Sequence, residues 1–445
     1  MIKKLLIANR GEIALRILRA CRELDIDTVA VYSEADRDQM HVKMADESIC
    51  IGPAAPNKSY LNIPAIISSM ELSGADGVHP GYGFLAENGD FAEQVEKSGF
   101  QFAGPSSDVI RIMGNKITAK KFAKDVGLPI LPDSNGPVSS NSKNLAEEIG
   151  YPIIIKAAAG GGGRGMRIVK SEEELENKLE ITKSEAMAAF GDSTIYLEKY
   201  LLQPRHIEVQ VLSDRFGNFL HLGDRDCSMQ RRHQKVIEEA PAIGIPLEIK
   251  EEIFLKCLDA CKQLQYVGAG TFEFLYEDEK FYFIEMNTRL QVEHTVTESI
   301  TGLDIVKLQL RIARNEELSI KQKDITFSGH AIECRINAEH PRSFIPSAGK
   351  ITDYHAPGGI GVRVDSHIYN NYTVPPFYDS LIAKVICIAN DREDSRIRLV
   401  RALDEMYVSG IDTNLDMHRD IVVDENFIQG KLDVNYLENK FKTYT

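Results

Sequence analysis

Charged or amide side chains alternate strictly with Met, Thr, Leu and Val over residues 285–293. The polar members of this run are Glu285, Asn287, Arg289, Gln291 and Glu293. In extended backbone, successive side chains point to opposite faces, so these five would line one side of a strand. Carboxylate and amide oxygens bind hard cations, a guanidinium clamps an anion, and a further carboxylate can act as a base. The run predicts either a site that joins a metal ion to an anionic substrate or a solvated sheet edge.

The segment before this run has the pattern of a β-hairpin, and its register decides whether a metal site forms. Two aromatic-rich strands flank residues 277–280. If Glu273 lies opposite Glu285, the two carboxylates share a face with Asn287 and supply oxygen for one or two Mg²⁺ ions with phosphates. A simple four-residue loop puts the two glutamates on opposite faces. The metal site therefore predicts a β-bulge or an odd-length loop in this hairpin.

A glycine-rich loop over residues 158–165 lies between two apolar strands. Lys156 stands at the end of the first strand, and the loop includes Gly162 and Gly163. Glycines let backbone N–H groups crowd against phosphate oxygens. The loop is not a P-loop, because no Gly-Lys-Ser/Thr follows and the next element has a strand pattern. We predict a flap that closes over a nucleoside triphosphate, in preference to a flexible linker.

The composition is that of an ordinary globular protein and excludes several classes of function. The chain has 445 residues, 43% of them hydrophobic and 27% charged, enough for about two to four domains. The net charge of −14 argues against binding to nucleic acid or to an anionic membrane. No apolar run has the length of a membrane span, and the N-terminus lacks a signal-peptide pattern. The seven scattered cysteines lack zinc-site spacing and predict reduced thiols in the cytoplasm.

The order of strand and helix patterns predicts several structural units. The first hundred residues indicate a doubly wound, mostly parallel α/β domain without the glycine fingerprint of dinucleotide-binding folds. We expect an N-terminal domain over residues 1–112, a helical linker over 113–130, a lid over 131–203, a catalytic core over 204–330 and an α+β domain over 331–445.

Four motifs resemble those of the biotin carboxylase family. They are residues 6–14 (LIANRGEIA), 79–88 (HPGYGFLAEN), 225–235 (RDCSMQRRHQK) and 283–294 (FIEMNTRLQVEH). The resemblance extends from residue 1 to about residue 440. It implies an ATP-grasp architecture, with an N-terminal doubly wound α/β domain, a mobile lid that carries the glycine loop and an α+β C-terminal domain.

The resemblance also implies a role for each matching residue. ATP would be bound by Lys116, Lys156, Gly162, Gly163, Glu198, Lys199, Leu201, His206, His233, Glu273 and Glu285, and Mg²⁺ or Mn²⁺ by Glu273, Glu285 and Asn287. Bicarbonate would be held by Lys235, Arg289, Gln291 and the backbone of Val292, and would be deprotonated by Glu293. Arg335 would face the ureido group of biotin, with Tyr82 nearby. The catalytic set would be Lys235, Arg289, Glu293 and Arg335.

The implied reaction is ATP- and bicarbonate-dependent carboxylation of biotin through carboxyphosphate. In the family this is the first half-reaction of acetyl-CoA carboxylase, which supplies malonyl-CoA for fatty-acid synthesis. The chain has no Met-Lys-Met biotin attachment sequence. We therefore expect biotin to arrive on a separate biotin carboxyl carrier protein, with carboxyltransferase subunits as further partners, and the family suggests a homodimer.

The sequence leaves three alternative functions for the chain. The chain could serve a propionyl-CoA or pyruvate carboxylase, or it could be another ATP-grasp ligase that joins a carboxylate to an amine. A nucleotide-binding regulatory subunit without turnover is the third alternative. The intact set of lysines, glutamates and Arg289 argues against the regulatory subunit, because such a subunit has no physical need for all of them.

Three positions in two segments depart from the family pattern. The flap begins Ala158-Ala159-Gly160 where we expect Ser-Gly-Gly, which should stiffen the entrance of the loop without removing phosphate donors. Thr295 follows Val-Glu-His where the family tends to have proline, which would restrict the backbone beside Glu293.

Overall fold

The computed structural model describes residues 2–138, 141–157, 166–190 and 192–442. Along these residues the chain forms an N-terminal α/β unit, a small three-stranded unit and a large sheet that continues into the C-terminal region. No helix in the described ranges is long and apolar enough to cross a membrane.

The N-terminal unit is built on a parallel sheet of five strands, as the sequence pattern predicts. Its elements are β1 (Lys4–Ile7), α1 (Gly11–Glu23), β2 (Asp27–Ser33), α2 (Met40–Met44), β3 (Glu47–Gly52), α3 (Ile63–Ser73), β4 (Gly77–His79), α4 (Gly89–Lys97), β5 (Gln101–Phe102) and α5 (Ser107–Gly114). The strand order is β3-β2-β1-β4-β5. Leu5 and Ile7 of β1 pack into one apolar core and Leu6 into another, so both faces of the sheet are covered. This is why β1 has a continuous apolar sequence.

The small unit is an antiparallel sheet that follows two short helices. The elements are α6 (Lys116–Asp125), α7 (Ser142–Ile149), β6 (Ile153–Ala157), β7 (Met166–Val169), α8 (Glu172–Phe190) and β8 (Ile195–Lys199), with the strand order β7-β6-β8. The Asn115 side chain accepts hydrogen bonds from the N–H groups of Ile117 at 2.9 Å and Thr118 at 3.2 Å. This cap starts α6 at Lys116 and so places that lysine on the first turn.

The large sheet has eight strands. The first half comprises β9 (Arg205–Ser213), β10 (Phe219–Arg231), β11 (Gln234–Ala240), α9 (Leu247–Leu264), β12 (Gly268–Glu277), β13 (Lys280–Asn287), α10 (His294–Thr301) and α11 (Ile305–Ala313). The remainder comprises β14 (His330–Asn337), β15 (Gly349–Lys350), β16 (Tyr354–His355), β17 (Val362–Ser366), β18 (Thr373–Val374), β19 (Leu381–Ala389), α12 (Arg392–Glu405), β20 (Tyr407–Val408), α13 (Leu415–Val422), α14 (Glu425–Ile428) and α15 (Tyr436–Lys442). The strand order is β13-β12-β9-β10-β11-β14-β19-β17, with β15–β18 and β16–β20 as separate pairs.

The C-terminal region is joined to the middle of the chain through this sheet. The boundary expected between residues 330 and 331 falls at the start of β14, which pairs with β11 on one side and with β19 on the other. Met229 and Ile237 of the middle region share an apolar core with Ile332 and Cys334. The two regions therefore meet through backbone hydrogen bonds and a common core.

Candidate active site

The hairpin of β12 and β13 contains the bulge that the sequence requires. Glu273 lies opposite Glu285, whereas the next residue of β12, Phe274, lies opposite Phe283. Ile284 is therefore the extra residue, and its side chain is 40% exposed. A bulge sets two residues of one strand against one of the other and restores the two glutamates to the same face. The prediction of a bulge is confirmed.

The extended run predicted over residues 285–293 is only partly present. β13 ends at Asn287, and the backbone at Glu293 has φ −82° and ψ 11°, directly before α10. The prediction that one strand carries all five polar side chains is therefore wrong. The chain instead folds back over β12, and Gln291 Nε2 donates to Glu273 Oε1 at 2.7 Å. Alternation cannot distinguish a strand from a folded segment whose polar side chains meet buried polar partners.

Lys235 lies where three carboxylates converge. Its Nζ contacts Glu208 and lies 2.8 Å from both Glu273 Oε1 and Glu293 Oε1. Burial lowers the pKa of Lys235, but the carboxylates outweigh this effect and raise the pKa well above the ordinary value. Lys235 is therefore a permanent cation at the centre of the site.

Two further buried residues, Glu208 and Arg225, belong to the ionic network around Lys235. Neither was selected as a site residue from the sequence. Glu208 Oε2 accepts hydrogen bonds from Arg225 Nε at 3.1 Å and Nη2 at 3.0 Å, and both side chains are fully buried. Arg225 Nη2 also donates to Gln291 Oε1 at 2.7 Å. A sequence signal existed for Glu208, because it shares a strand face with His206. Burial lowers the pKa of His206, but Glu273 and Glu208 raise it to about 9.

Glu293 is held between two cations. Its Oε2 accepts from Arg335 Nη2 at 2.7 Å, while its Oε1 faces Lys235. Burial raises the pKa of Glu293, but Lys235 and Arg335 outweigh this effect and lower it. Arg335 is fixed in turn by Glu238, whose Oε1 lies 2.5 Å from its Nε. Glu293 is therefore a deprotonated carboxylate whose neighbours can receive an anion.

A cavity of about 900 Å³ collects nearly all of the predicted site residues. Those of the predicted set that line it are Lys116, Lys156, Glu198, Lys199, Leu201, His206, His233, Lys235, Glu273, Glu285, Asn287, Arg289, Gln291, Val292, Glu293 and Arg335. Gly162 and Gly163 lie outside the described residues. Lys120 also lines the cavity, although the sequence analysis did not select it. Its Nζ lies 3.3 Å from Glu198 Oε2, and Lys156 contacts the other oxygen of that carboxylate.

Lys199 lines the cavity, but its ammonium group is bonded elsewhere. Lys199 Nζ donates to the backbone carbonyls of Gly150 at 2.9 Å and Tyr151 at 3.0 Å. Its ammonium is therefore engaged within the three-stranded unit. Lys116 and Lys120 belong to α6, whereas Lys156 belongs to β6, so the cations approach the cavity from two elements.

A divalent cation would find suitable oxygen ligands in the side chains of Glu273, Glu285 and Asn287. Asn287 Nδ2 donates to Glu273 Oε1 at 2.7 Å, which places its amide beside the two carboxylates. Burial, Glu273 and Glu87 together raise the pKa of Glu285, so the like charges here are incompletely neutralised. A cation between Glu273 and Glu285 would relieve this repulsion, and carboxylate and amide oxygens are ligands that Mg²⁺ accepts.

A second cavity, of about 470 Å³, meets the first at Lys235, Val292 and Arg335. Tyr82 lines only the second cavity. The Tyr82 hydroxyl contacts the carboxylate of Glu12, which lines the same space. The site can therefore take two substrates that meet beside Lys235 and Arg335.

Comparisons with known proteins agree on one family along nearly the whole chain. Residues 1–110 match the model of the biotin carboxylase N-terminal domain, 115–321 the ATP-binding domain of the carbamoyl-phosphate synthase L chain, and 333–439 the biotin carboxylase C-terminal domain. Biotin carboxylase of Pseudomonas aeruginosa is 60% identical over 443 residues, which cover 99% of each chain.

Solved structures agree as well. The biotin carboxylase from Campylobacter jejuni, described as a β,γ-ATP complex, superposes with a TM-score of 0.90 at 50% identity and covers 99% of both chains. The biotin carboxylase domain of 2-oxoglutarate carboxylase from Hydrogenobacter thermophilus is a dimer in complex with MgADP, ADP and bicarbonate. It superposes with a TM-score of 0.88 at 48% identity and covers 99% of this chain and 98% of its own.

Proposed function

This chain belongs to the biotin carboxylase family and is an ATP-dependent ligase that carboxylates biotin, and we propose how its residues carry out that reaction. The observation that carries the proposal is the position of Glu293, a buried carboxylate that lines the larger cavity between Lys235 and Arg335, two cations that line both cavities. ATP enters the larger cavity, and the ureido ring of biotin enters the smaller one. Bicarbonate binds between them.

ATP and bicarbonate are both anions, so the first requirement is to offset their repulsion. Lys116 and Lys156 contact the phosphates, and Arg289 with Lys235 receives bicarbonate. Gln291 and the backbone of Val292 orient it. Mg²⁺ or Mn²⁺ bound by Glu273, Glu285 and Asn287 supplies the remaining positive charge at the phosphates. Glu198, Lys199, Leu201, His206 and His233 bind the rest of the nucleotide, and Gly162 and Gly163, outside the described residues, are assigned to its phosphates.

Glu293 then accepts the proton of bicarbonate. The freed oxygen attacks the γ-phosphorus, ADP leaves, and carboxyphosphate forms. Carboxyphosphate breaks to CO2 and phosphate, and that phosphate takes the proton from the ureido nitrogen of biotin. Arg335 stabilises the resulting ureido oxyanion, and the nitrogen attacks CO2 to give carboxybiotin. Tyr82 closes the opposite side of the biotin cavity. Exclusion of water by the lid protects the labile intermediate.

We further propose that the reaction serves acetyl-CoA carboxylase. A biotin carboxyl carrier protein would present biotin, carboxyltransferase subunits would use the product, and the chain would act as a homodimer, as the Hydrogenobacter thermophilus domain does in its crystal. The 48% identity to a 2-oxoglutarate carboxylase domain supports a second candidate, a subunit of another biotin-dependent carboxylase. The seven cysteines are free thiols, all but Cys50 away from the surface, which supports a reducing compartment such as the cytoplasm.

Replacement of Glu293 by glutamine tests the proposed base. We expect Glu293→Gln to lower bicarbonate-dependent ADP release with free biotin by about 100-fold or more, because the amide cannot accept the proton. ATP affinity should stay within about two-fold, since Glu293 contacts bicarbonate rather than the nucleotide. The control Glu251→Gln, on the exposed face of α9, should change neither quantity.

The same assay separates the alternatives. Carboxybiotin detected with wild-type protein supports the proposed reaction, and ADP release that needs an added amine instead of biotin supports an amine ligase. Loss of nucleotide binding in Glu293→Gln would give this residue a structural role and contradict its assignment as the base.

A further inference from the structure

Lys384 is a fully buried lysine that the proposed reaction does not use. It lies on β19, between Arg335 of β14 and Asp365 of β17. Its side chain is 0% exposed. A buried ammonium costs several kcal/mol in lost hydration unless strong partners replace the water, so a lysine kept at such a position needs a compensating interaction.

The partners of Lys384 belong to the candidate site. Its Nζ donates to the backbone carbonyl of Val292 at 2.7 Å and lies 3.3 Å from Glu12 Oε1. Glu12 is in the first turn of α1 and is 2% exposed. The same oxygen also accepts from the Tyr82 hydroxyl. Lys384 therefore connects the helix beside the biotin cavity to the turn that precedes α10.

The Val292 carbonyl, which accepts the hydrogen bond from Lys384, lies next to the proposed base. It belongs to the peptide group that joins Val292 to Glu293, and a peptide group is planar. Fixing this carbonyl therefore orients the main chain on both sides of it. On one side is the residue whose backbone is proposed to hold bicarbonate, and on the other is the proposed base.

We propose that Lys384, held in place by Glu12, is a positioning residue for the bicarbonate-binding turn. The inference rests on the proposed function, because it assigns Lys384 to the same reaction. Its contact is made to the backbone of the turn, whereas the cations Lys235 and Arg335 hold the Glu293 side chain. The two kinds of contact together fix both the main chain and the carboxylate of the base.

The test replaces Lys384 by methionine, which keeps the length of the side chain and removes its charge and donors. We expect the KM for bicarbonate to rise by about ten-fold or more, the loss typical of a charge-assisted hydrogen bond. ATP affinity should stay within about two-fold, because the partners of Lys384 among the described residues, Val292 and Glu12, are not assigned to ATP.

Lys250 provides a matched control. It is also a buried lysine, with Nζ 2.5 Å from the carbonyl of Ala242 and 2.7 Å from Asp224 Oδ2, but it lies on α9 and does not line the cavity. Lys250→Met should lose stability and leave the KM for bicarbonate unchanged. An equal rise of this KM in both variants, or no rise in Lys384→Met, would overturn the inference.

Glu12→Gln covers the case in which Lys384→Met does not fold. Glutamine keeps an oxygen near the ammonium but removes the charge, so the KM for bicarbonate should rise several-fold, by less than in Lys384→Met. A Glu12→Gln variant with unchanged KM for bicarbonate would overturn the inference. Turnover of the wild-type protein distinguishes failure of the proposed function from failure of this inference. If the wild-type protein shows no bicarbonate-dependent ADP release, the proposed function is wrong. If the wild-type protein turns over normally and the variants are unaffected, only the role of Lys384 is wrong.

Discussion

At the residue scale, Lys235 keeps three buried carboxylates together. Glu208, Glu273 and Glu293 all contact its ammonium. Removing one partner of a buried ionic cluster leaves uncompensated charge, which typically costs about 3–5 kcal/mol. We therefore predict that Lys235→Met lowers the free energy of unfolding by about 3 kcal/mol, measured by urea denaturation.

Activity distinguishes this loss from simple destabilisation. Lys235→Met should also lower bicarbonate-dependent ADP release by about 100-fold, because the proposed bicarbonate site loses one of its cations. The Lys250→Met control breaks a buried ion pair outside the cavity and should retain turnover while it loses stability. Normal turnover in a folded Lys235→Met protein would show that this lysine is structural only.

A second prediction at this scale concerns Glu333, a buried acid beside Lys384. Burial raises its pKa from 4.5 to about 7, although Lys384 and Thr295 act in the opposite direction. A carboxyl whose pKa is higher in the folded than in the unfolded chain contributes stability that is present below pH 4.5 and is lost as the pH rises through about 7.

The wild-type protein should therefore lose more thermal stability between pH 5 and pH 8 than Glu333→Gln does, because glutamine does not titrate. The measurement is the midpoint temperature of unfolding at a series of pH values. Parallel pH curves for the two proteins would show that Glu333 does not contribute to the pH dependence.

The sequence predicts residues of this site unevenly, and the reason is physical. Lys156 and the pair Glu273 and Glu285 stand in local patterns whose chemistry is legible without the fold. Lys384 acts through contacts with residues far away in the chain, so no local spacing marks it, and Glu208 is marked only by the strand face that it shares with His206. Burial, which turns an ordinary charge into a strong interaction, is a property of the folded molecule.

At the element scale, the segment between β13 and α10 positions Glu293. The run that alternates in sequence ends as a strand at Asn287 and returns through a turn, because Gln291 and Glu293 meet buried partners on β12 and β11. The bulge at Ile284 was predictable from the chemistry that Glu273 and Glu285 must share. The turn was not, since alternation carries no information about the partners of each side chain.

Thr295, where the family tends to have proline, tests how this turn tolerates change. It is the second residue of α10, and its hydroxyl contacts Glu333. Proline is tolerated in the first turn of a helix, where the N–H has no intrahelical partner. We predict that Thr295→Pro costs only about 1 kcal/mol of unfolding free energy, mainly through the lost hydroxyl bond.

Ser299→Pro is the matched control, because Ser299 lies in the interior of the same helix. Proline there removes a backbone hydrogen bond and clashes with the preceding turn, so it should cost about 3 kcal/mol or more. Urea denaturation of both variants gives the comparison. Equal losses of unfolding free energy in the two variants would contradict the prediction that proline is tolerated at position 295.

At the scale of the whole molecule, the large sheet makes the middle and C-terminal regions one structural body. β11 and β14 pair in register from Ile237 with Cys334 to Ala240 with Ala331. The buried ion pair of Arg335 with Glu238 crosses the same junction. Boundaries between separate domains usually fall where few contacts cross. The candidate site depends on the junction, because Arg335 reaches Glu293 from β14.

Cleavage of the chain between the middle and C-terminal regions tests whether the large sheet holds them together. Thr326 and Phe327 are exposed in the segment before β14, so a protease site inserted between them should be cut in the folded protein. We predict that the two fragments stay associated and co-elute in size-exclusion chromatography, because the β11–β14 hydrogen bonds and the common core remain. They should separate only in concentrated urea. The cleaved protein should also retain bicarbonate-dependent ADP release, since Arg335 remains beside Glu293. Fragments that separate without denaturant would show that the covalent connection, rather than the shared sheet, holds the site together.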